Sequence, residues 1–192
     1  MEAPQFTLEH GTTYGVSGDH LASMRLFHML AATAAAMGER VLILSPLLSA
    51  TTAALASMLA DDDEMLERLA RIQLACMSDI AHVVSTLAAI DSWSTTRCIF
   101  VDALSLCPPH PDIYELAHIR STCLALKRIA TVHRAIVVVV FRSSMTQWLT
   151  SHHVLLTPYH PSTSSGQKDM VTAVIARTGA TCLCSLSTVL MS

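Results

Sequence analysis

The sequence predicts a single α/β domain: a mainly parallel central sheet flanked by helices, with a C-terminal antiparallel hairpin. Three observations predict it. Short apolar runs of strand length alternate with segments of helical periodicity, the pattern of strands joined by crossover helices. The run from Ala135 to Phe141 has no polar face, so it has to be covered on both sides. Near the C-terminus two strand-like segments, Met170 to Arg177 and Ala180 to Val189, flank Gly179 as a hairpin. The whole of 1–192 is assigned to this one domain, because 192 residues bury one sizeable core and would crowd two.

A first strand is expected around Leu8 to Tyr14, running into a glycine-containing loop. Leu21, Met24, Phe27, Leu30 and Ala34 then recur at helical spacing, and Gly38 ends that helix. Arg40 to Ser45 reads as a buried strand closed by Pro46. Thr51 to Leu59 and Glu64 to Ala70 suit helices. The acidic triplet Asp61-Asp62-Asp63 between them reads as a solvated turn rather than a metal site. Arg71 to Cys76 is a third strand, and Ser78 is placed to cap a helix from Asp79 to Ile90. After the polar break Asp91 to Thr96, the strand Arg97 to Asp102 ends in a carboxylate. Pro108, Pro109 and Pro111 mark a loop, and Ile113 to Val132 forms a long helix feeding the apolar strand at Ala135. Arg142 to Asp169, with Pro158, Pro161 and a serine-rich stretch, is expected to be irregular.

Composition narrows the function classes. With 52% hydrophobic and 14% charged residues the chain is not disordered, and part of its apolar surface calls for a protein partner. No stretch approaches the twenty or so apolar residues of a membrane span, so no membrane association is expected. Met1 to Gln5 lacks the basic and apolar regions of a signal peptide, which points to the cytoplasm or nucleus. The cysteines at 76, 98, 107, 123, 182 and 184 have no CxxC spacing and fall mostly in apolar segments, so reduced buried thiols are expected. Cys182 and Cys184, with His152 and His153, are the one set that could draw a metal, and no metal is assigned to them. A net charge of −3 gives no long-range attraction for nucleic acid, so any DNA contact is local or shared with a partner.

The stretch Tyr14-Gly15-Val16-Ser17-Gly18-Asp19-His20-Leu21-Ala22 follows a strand and opens a helix, the position of a phosphate-binding loop. A working loop, GxxxxGK[ST], cradles phosphates on backbone amides, neutralises them with lysine and holds magnesium with a hydroxyl. The stretch resembles the corresponding loop of eukaryotic and archaeal RecA-type recombinases. In that register Gly15 and Gly18 match the first two glycines, while His20 replaces the last glycine, Leu21 the lysine and Ala22 the threonine. Asp19 adds a negative charge beside any phosphate. Ser45-Pro46-Leu47 stands where those recombinases carry the glutamate that activates water, whereas Asp102 resembles their Walker B aspartate.

The resemblance extends over nearly the whole chain and implies a RecA-like P-loop core. Gly15 comes too early for the N-terminal helical domain that full recombinases carry. Gly15, Gly18 and Asp102 become the remnant of a nucleotide site; no catalytic residue, cofactor or enzymatic activity is expected. The trimmed form is similar to the small recombinase paralogues of Shu-type complexes, including the subunit that pairs with a SWIM-domain zinc protein. That likeness implies a non-catalytic, nuclear subunit of a homologous-recombination DNA-repair complex, heterodimeric with a SWIM-domain protein or another recombinase paralogue. Such a subunit assists assembly of the recombinase filament on single-stranded DNA. Two other readings stay open: a subunit of a RecA-fold ring such as Elongator, which acts on transfer RNA, and an active α/β NTPase using Asp102 with a histidine.

In RecA-type cores the DNA-facing loops correspond here to Leu104–Asp112 and Arg142–Asp169. The first has no Lys or Arg; the second has Arg142 and Lys168, with Trp148, His152, His153, Tyr159 and His160. The other basic concentration is Arg120, Lys127 and Arg128 on the long helix, with His133 and Arg134 after it. Arg120, Lys127, Arg128, Arg134, Arg142 and Lys168 are therefore the candidate DNA-binding residues, with a merely solvated face as the competing reading. Met58, Met65, Met77, Leu183, Leu186 and Val189 are candidate interface positions, for which core packing competes. The remaining use of Gly15 would be a tight turn.

Overall fold

The computed structural model describes residues 8–60, 63–89 and 96–142, and the strand segments 152–158, 170–175 and 180–185. In chain order the elements are β1 (Thr13–Gly18), α1 (His20–Ala36), β2 (Val41–Ser45), α2 (Leu48–Met58), α3 (Met65–Ala70), β3 (Ile72–Cys76) and α4 (Ile80–Ala89). They continue with β4 (Cys98–Asp102), α5 (Ala103–Leu106), α6 (Ile113–His133), β5 (Ile136–Val140), β6 (His152–Pro158), β7 (Met170–Ile175) and β8 (Ala180–Ser185). One eight-stranded sheet runs in the order β3-β2-β4-β5-β1-β6-β7-β8. The six strands from β3 to β6 are parallel, and β7 and β8 add to β6 as an antiparallel hairpin.

Strand alternation divides the core into two layers. Ile136, Val138 and Val140 of β5 point to one face, with Val41, Ile43, Cys98 and Phe100, and meet the apolar side of α1. Val137 and Val139 point to the other face, with Leu42, Leu44, Ile99 and Val101, under α4 and α6. A strand covered on both sides has no use for a polar residue, which is why β5 reads as a continuous valine run. Phe27 of α1 is fully buried and meets Phe100 of β4 edge to face, ring centroids 5.5 Å apart.

The helix ends follow local chemistry. Gly38, at φ +89°, closes α1 in the left-handed region. Asp112 and Glu115 form a reciprocal capping box at the start of α6: Asp112 Oδ1 accepts from the Tyr114 and Glu115 amides, and Glu115 Oε2 from the Asp112 amide, each at 2.8 Å. At α4 it is Asp79, rather than Ser78, whose carboxylate accepts the His82 amide; Ser78 Oγ bonds the Asp79 and His82 side chains instead. Among the described residues no helix is long and apolar enough to cross a membrane.

Several expectations change. The segment read as irregular from Arg142 to Asp169 contains β6, which pairs with β1. Leu21 is exposed rather than part of the core stripe, whereas Met77 is buried and Met65 packs against the core, leaving Met58 as the exposed methionine of the three. Leu183 lies on β8, and Leu186, Val189 and Gly179 lie outside the described residues. Asp63 is exposed, as a solvated turn requires, with Asp61 and Asp62 outside the described residues. Cys98, Cys107 and Cys123 are buried thiols, but Cys76 at the end of edge strand β3 is exposed. Burial pushes the Cys98 and Cys107 thiols up to about 12, which makes both poor nucleophiles.

An ionisable group of α1 is buried on the side that packs against the first layer. His28 on α1 is only 8% exposed, and its Nε2 has no hydrogen-bond partner among the described residues. Burial lowers its pKa from 6.5, against a smaller opposing pull from the Asp102 charge. The folded chain thus holds a neutral imidazole that the unfolded chain protonates below about pH 6.5. Stability present above that pH is lost as the pH falls towards the depressed folded value. Urea unfolding should show a larger loss between about pH 7.5 and about pH 5.5 for the wild type than for His28→Leu, and equal losses would refute the assignment.

Candidate nucleotide site at the C-terminal edge of the sheet

In a parallel α/β sheet the carboxyl ends of the strands and the N-termini of the following helices meet along one edge, the usual place for a ligand. The register lines up the relevant ends here: Val140 of β5 lies between Asp102 of β4 and Val16 of β1. Beyond β4, Leu44 pairs with Val101, so Ser45 and Asp102 end neighbouring strands.

The connection from β1 to α1 is shorter than the sequence suggested. Instead of a loop from Gly15 to Ala22, the chain continues as a strand to Gly18, and Asp19 alone separates it from helix α1 at His20. Gly15 pairs with Val139 on one side and His153 on the other, so it sits mid-ladder and does not form the turn. The turn falls at Gly18, whose φ of +121° requires glycine. Two neighbouring strands hold Tyr14 to Val16, and β6 alone extends the pairing to Gly18.

Asp19 then caps the helix. Its Oδ1 accepts the Ala22 amide at 2.9 Å, and its carbonyl accepts the Ser23 amide at 2.9 Å. A helix N-terminus attracts anions because its first amides are unpaired and the dipole is positive there. In this chain its own carboxylate occupies that position. Leu21, which the sequence resemblance aligns with a phosphate-binding lysine, is 78% exposed and uncharged, and Ala22 has no hydroxyl to offer a cation.

Asp102 is fully buried and both its oxygens are engaged. Oδ2 accepts the Ser45 hydroxyl at 3.0 Å, and Oδ1 accepts the Ser105 amide at 3.0 Å as the N-cap of α5. Ser45 Oγ in turn accepts the Leu47 amide at 3.1 Å. This chain of bonds ties the turn after β2 to the turn after β4. Nothing in the sequence pairs Ser45 with Asp102 across 57 positions; Ser45 stood out there only as part of the stretch that replaces a glutamate.

The basic candidates do not converge. Arg120, Arg128 and Arg134 are exposed and Lys127 is half-buried; all belong to α6 or its end, where Arg134 caps the helix at φ +52°. Arg134 precedes β5 and Arg142 follows it, so about 26 Å of extended chain separates them along the strand direction. Arg142 donates to the Leu104 carbonyl at 3.4 Å, bracing α5. Lys168, Trp148, Tyr159 and His160 lie outside the described residues, and His152 and His153 begin β6.

No family model matches the sequence, and no curated protein matches it either. Solved structures do. The crystal structure of the RadB recombinase superimposes with a TM-score of 0.70 at 18% identity, over 92% of this chain and 87% of that one. The ATPase domain of a RecA-fold helicase superimposes with a TM-score of 0.63 at 11% identity, over 96% of this chain and 86% of that one. The fold is therefore the RecA-like α/β core, with helices on both faces of a mainly parallel sheet.

Removing the buried carboxylate orphans two donors at once. Asp102→Ala should cost about 2–4 kcal/mol in urea unfolding, and Ser45→Ala about 1–3 kcal/mol. The double variant should cost clearly less than the sum, because both remove the same bond. Strict additivity would mean that the two side chains do not act together.

Proposed function

We propose that this chain is a non-catalytic RecA-fold subunit of a homologous-recombination complex, which assists assembly of a recombinase filament on single-stranded DNA. The observation that carries the reading is the Asp19 carboxylate bound to the Ala22 amide, at the helix end where a nucleotide phosphate would have to sit. A triphosphate there would meet a fixed negative charge, with no lysine and no magnesium-binding hydroxyl to offset it. Asp102, the position resembling a metal-side carboxylate, is engaged by Ser45 and Ser105. The residues at this edge do not fit a magnesium nucleotide. The likeness to the RadB recombinase over 92% of the chain supports a recombination context.

On this reading the chain contributes surfaces rather than chemistry. Its partner is a SWIM-domain protein or another recombinase paralogue, its client is the recombinase, and the complex acts in the nucleus. DNA contact is shared with the partner, because the chain's net charge is −3 and the candidate DNA-binding residues among those described are divided between α6 with its end and the residue after β5.

The test combines the chain and its copurified partner with a recombinase and single-stranded DNA. Faster filament nucleation is expected, unchanged by Asp102→Asn, with no ATP turnover by the chain alone. Turnover abolished by Asp102→Asn would establish an active NTPase instead. Copurification in a hexameric ring with no effect on filaments would also overturn the proposal.

A further inference from the structure

The solvent face of α6 is not built for water. Four of the nine exposed large hydrophobic residues among the described residues lie on it: Ile113 (77% exposed), Tyr114, Leu124 (57%) and Val132 (64%). The buried side of the helix is fully used, with Ile119, Cys123, Leu126 and Ala130 turned into the core. Ile113, Ala117, Arg120, Leu124, Arg128 and Thr131 follow one another at steps of three and four. At 3.6 residues per turn they fall within an arc of about 80° and form a seam about 27 Å long.

Beyond its first turn, the charge of this face has one sign. From Leu116 to Arg134 there is no Asp or Glu, while Arg120, Lys127, Arg128 and Arg134 are all present, in a chain whose net charge is −3. A seam in which apolar residues alternate with arginines complements a helix that carries apolar residues opposite the apolar positions and carboxylates opposite Arg120 and Arg128. Nucleic acid fits less well. Exposed aliphatic groups offer a phosphate nothing, and the one exposed aromatic of the face, Tyr114, stands beside the Asp112 and Glu115 carboxylates that would repel a phosphate.

We propose that the exposed face of α6 docks an acidic amphipathic helix of a partner protein, with Leu124 at the centre and Arg120 and Arg128 pairing with its carboxylates. This inference rests on the reading of the chain as a subunit and names the surface by which it joins its complex.

The test uses the full chain and three fluorescent probes. One is a synthetic peptide about three heptads long, with leucine at the seam positions and glutamate beside them; the second has lysine in place of glutamate; the third is oligo(dT). Anisotropy should show binding of the acidic peptide and at least about tenfold weaker binding of the basic one. The double variant Arg120→Glu/Arg128→Glu should reverse that preference, and Leu124→Asp should weaken the acidic peptide without changing the melting temperature of the chain. No binding of the acidic peptide, equal binding of both peptides, or tighter binding of oligo(dT) lost in the double variant would each overturn the proposal. These outcomes are separate from those for nucleotide: a chain that ignores both ATP and the acidic peptide loses this surface and keeps the subunit reading, whereas one that turns over ATP loses the subunit reading whatever the peptides do.

Discussion

The hydrogen-bond ladder that carries β1 as far as Gly18 governs this molecule. Pairing with β5 fixes Thr13 to Val16, and pairing with β6 continues through Ser17 and Gly18. Each residue added to the strand is one taken from the turn that follows, and what remains is Asp19. A one-residue connection cannot fold back as a cradle of amides. It can cap the next helix, and an aspartate at that position does so with its own charge. The same ladder places the β7–β8 hairpin, which reaches the sheet through β6.

At the rest of the C-terminal edge Asp102 and Ser45 are satisfied from within, while Ser23 Oγ and Arg142 Nε are buried without a partner among the described residues. Asp102, Ser45, Leu47 and Ser105 form a closed set of hydrogen bonds, so a fully buried carboxylate stabilises two turns instead of facing an open cleft. Arg142 braces α5 by a backbone carbonyl. Among the described residues, the outer side of α6 is where exposed aliphatic residues and cations share one face.

Much of this was legible in the sequence, for identifiable reasons. The β5 run could only be a central strand, Gly38 and Asp112 marked helix ends, and the hairpin around Gly179 had a strand pattern on each side. The errors occurred where distant partners decide the outcome. Gly15 and Gly18 read as a loop because glycine suits a loop locally; the strand that holds them lies in 152–158, inside a stretch whose prolines and serines read as irregular. Ser45 read as the loss of a glutamate, because a hydrogen bond to a residue 57 positions away leaves no local signal. Ser78 and Asp79 are adjacent capping residues, and composition cannot choose between them. The RecA-like likeness was carried by the order of elements, which survives at 18% identity.

On the proposed reading, the Asp19 carboxylate holds the helix end that a nucleotide would need. Amide NMR on the purified protein tests it directly, by following Ala22 and Ser23 during titration with magnesium ATP. Both resonances should stay in place up to about 1 mM nucleotide, the weak end of the affinity range, and the Ala22 amide should remain protected from exchange. Saturable movement of both, with release of the Asp19 side chain, would contradict it.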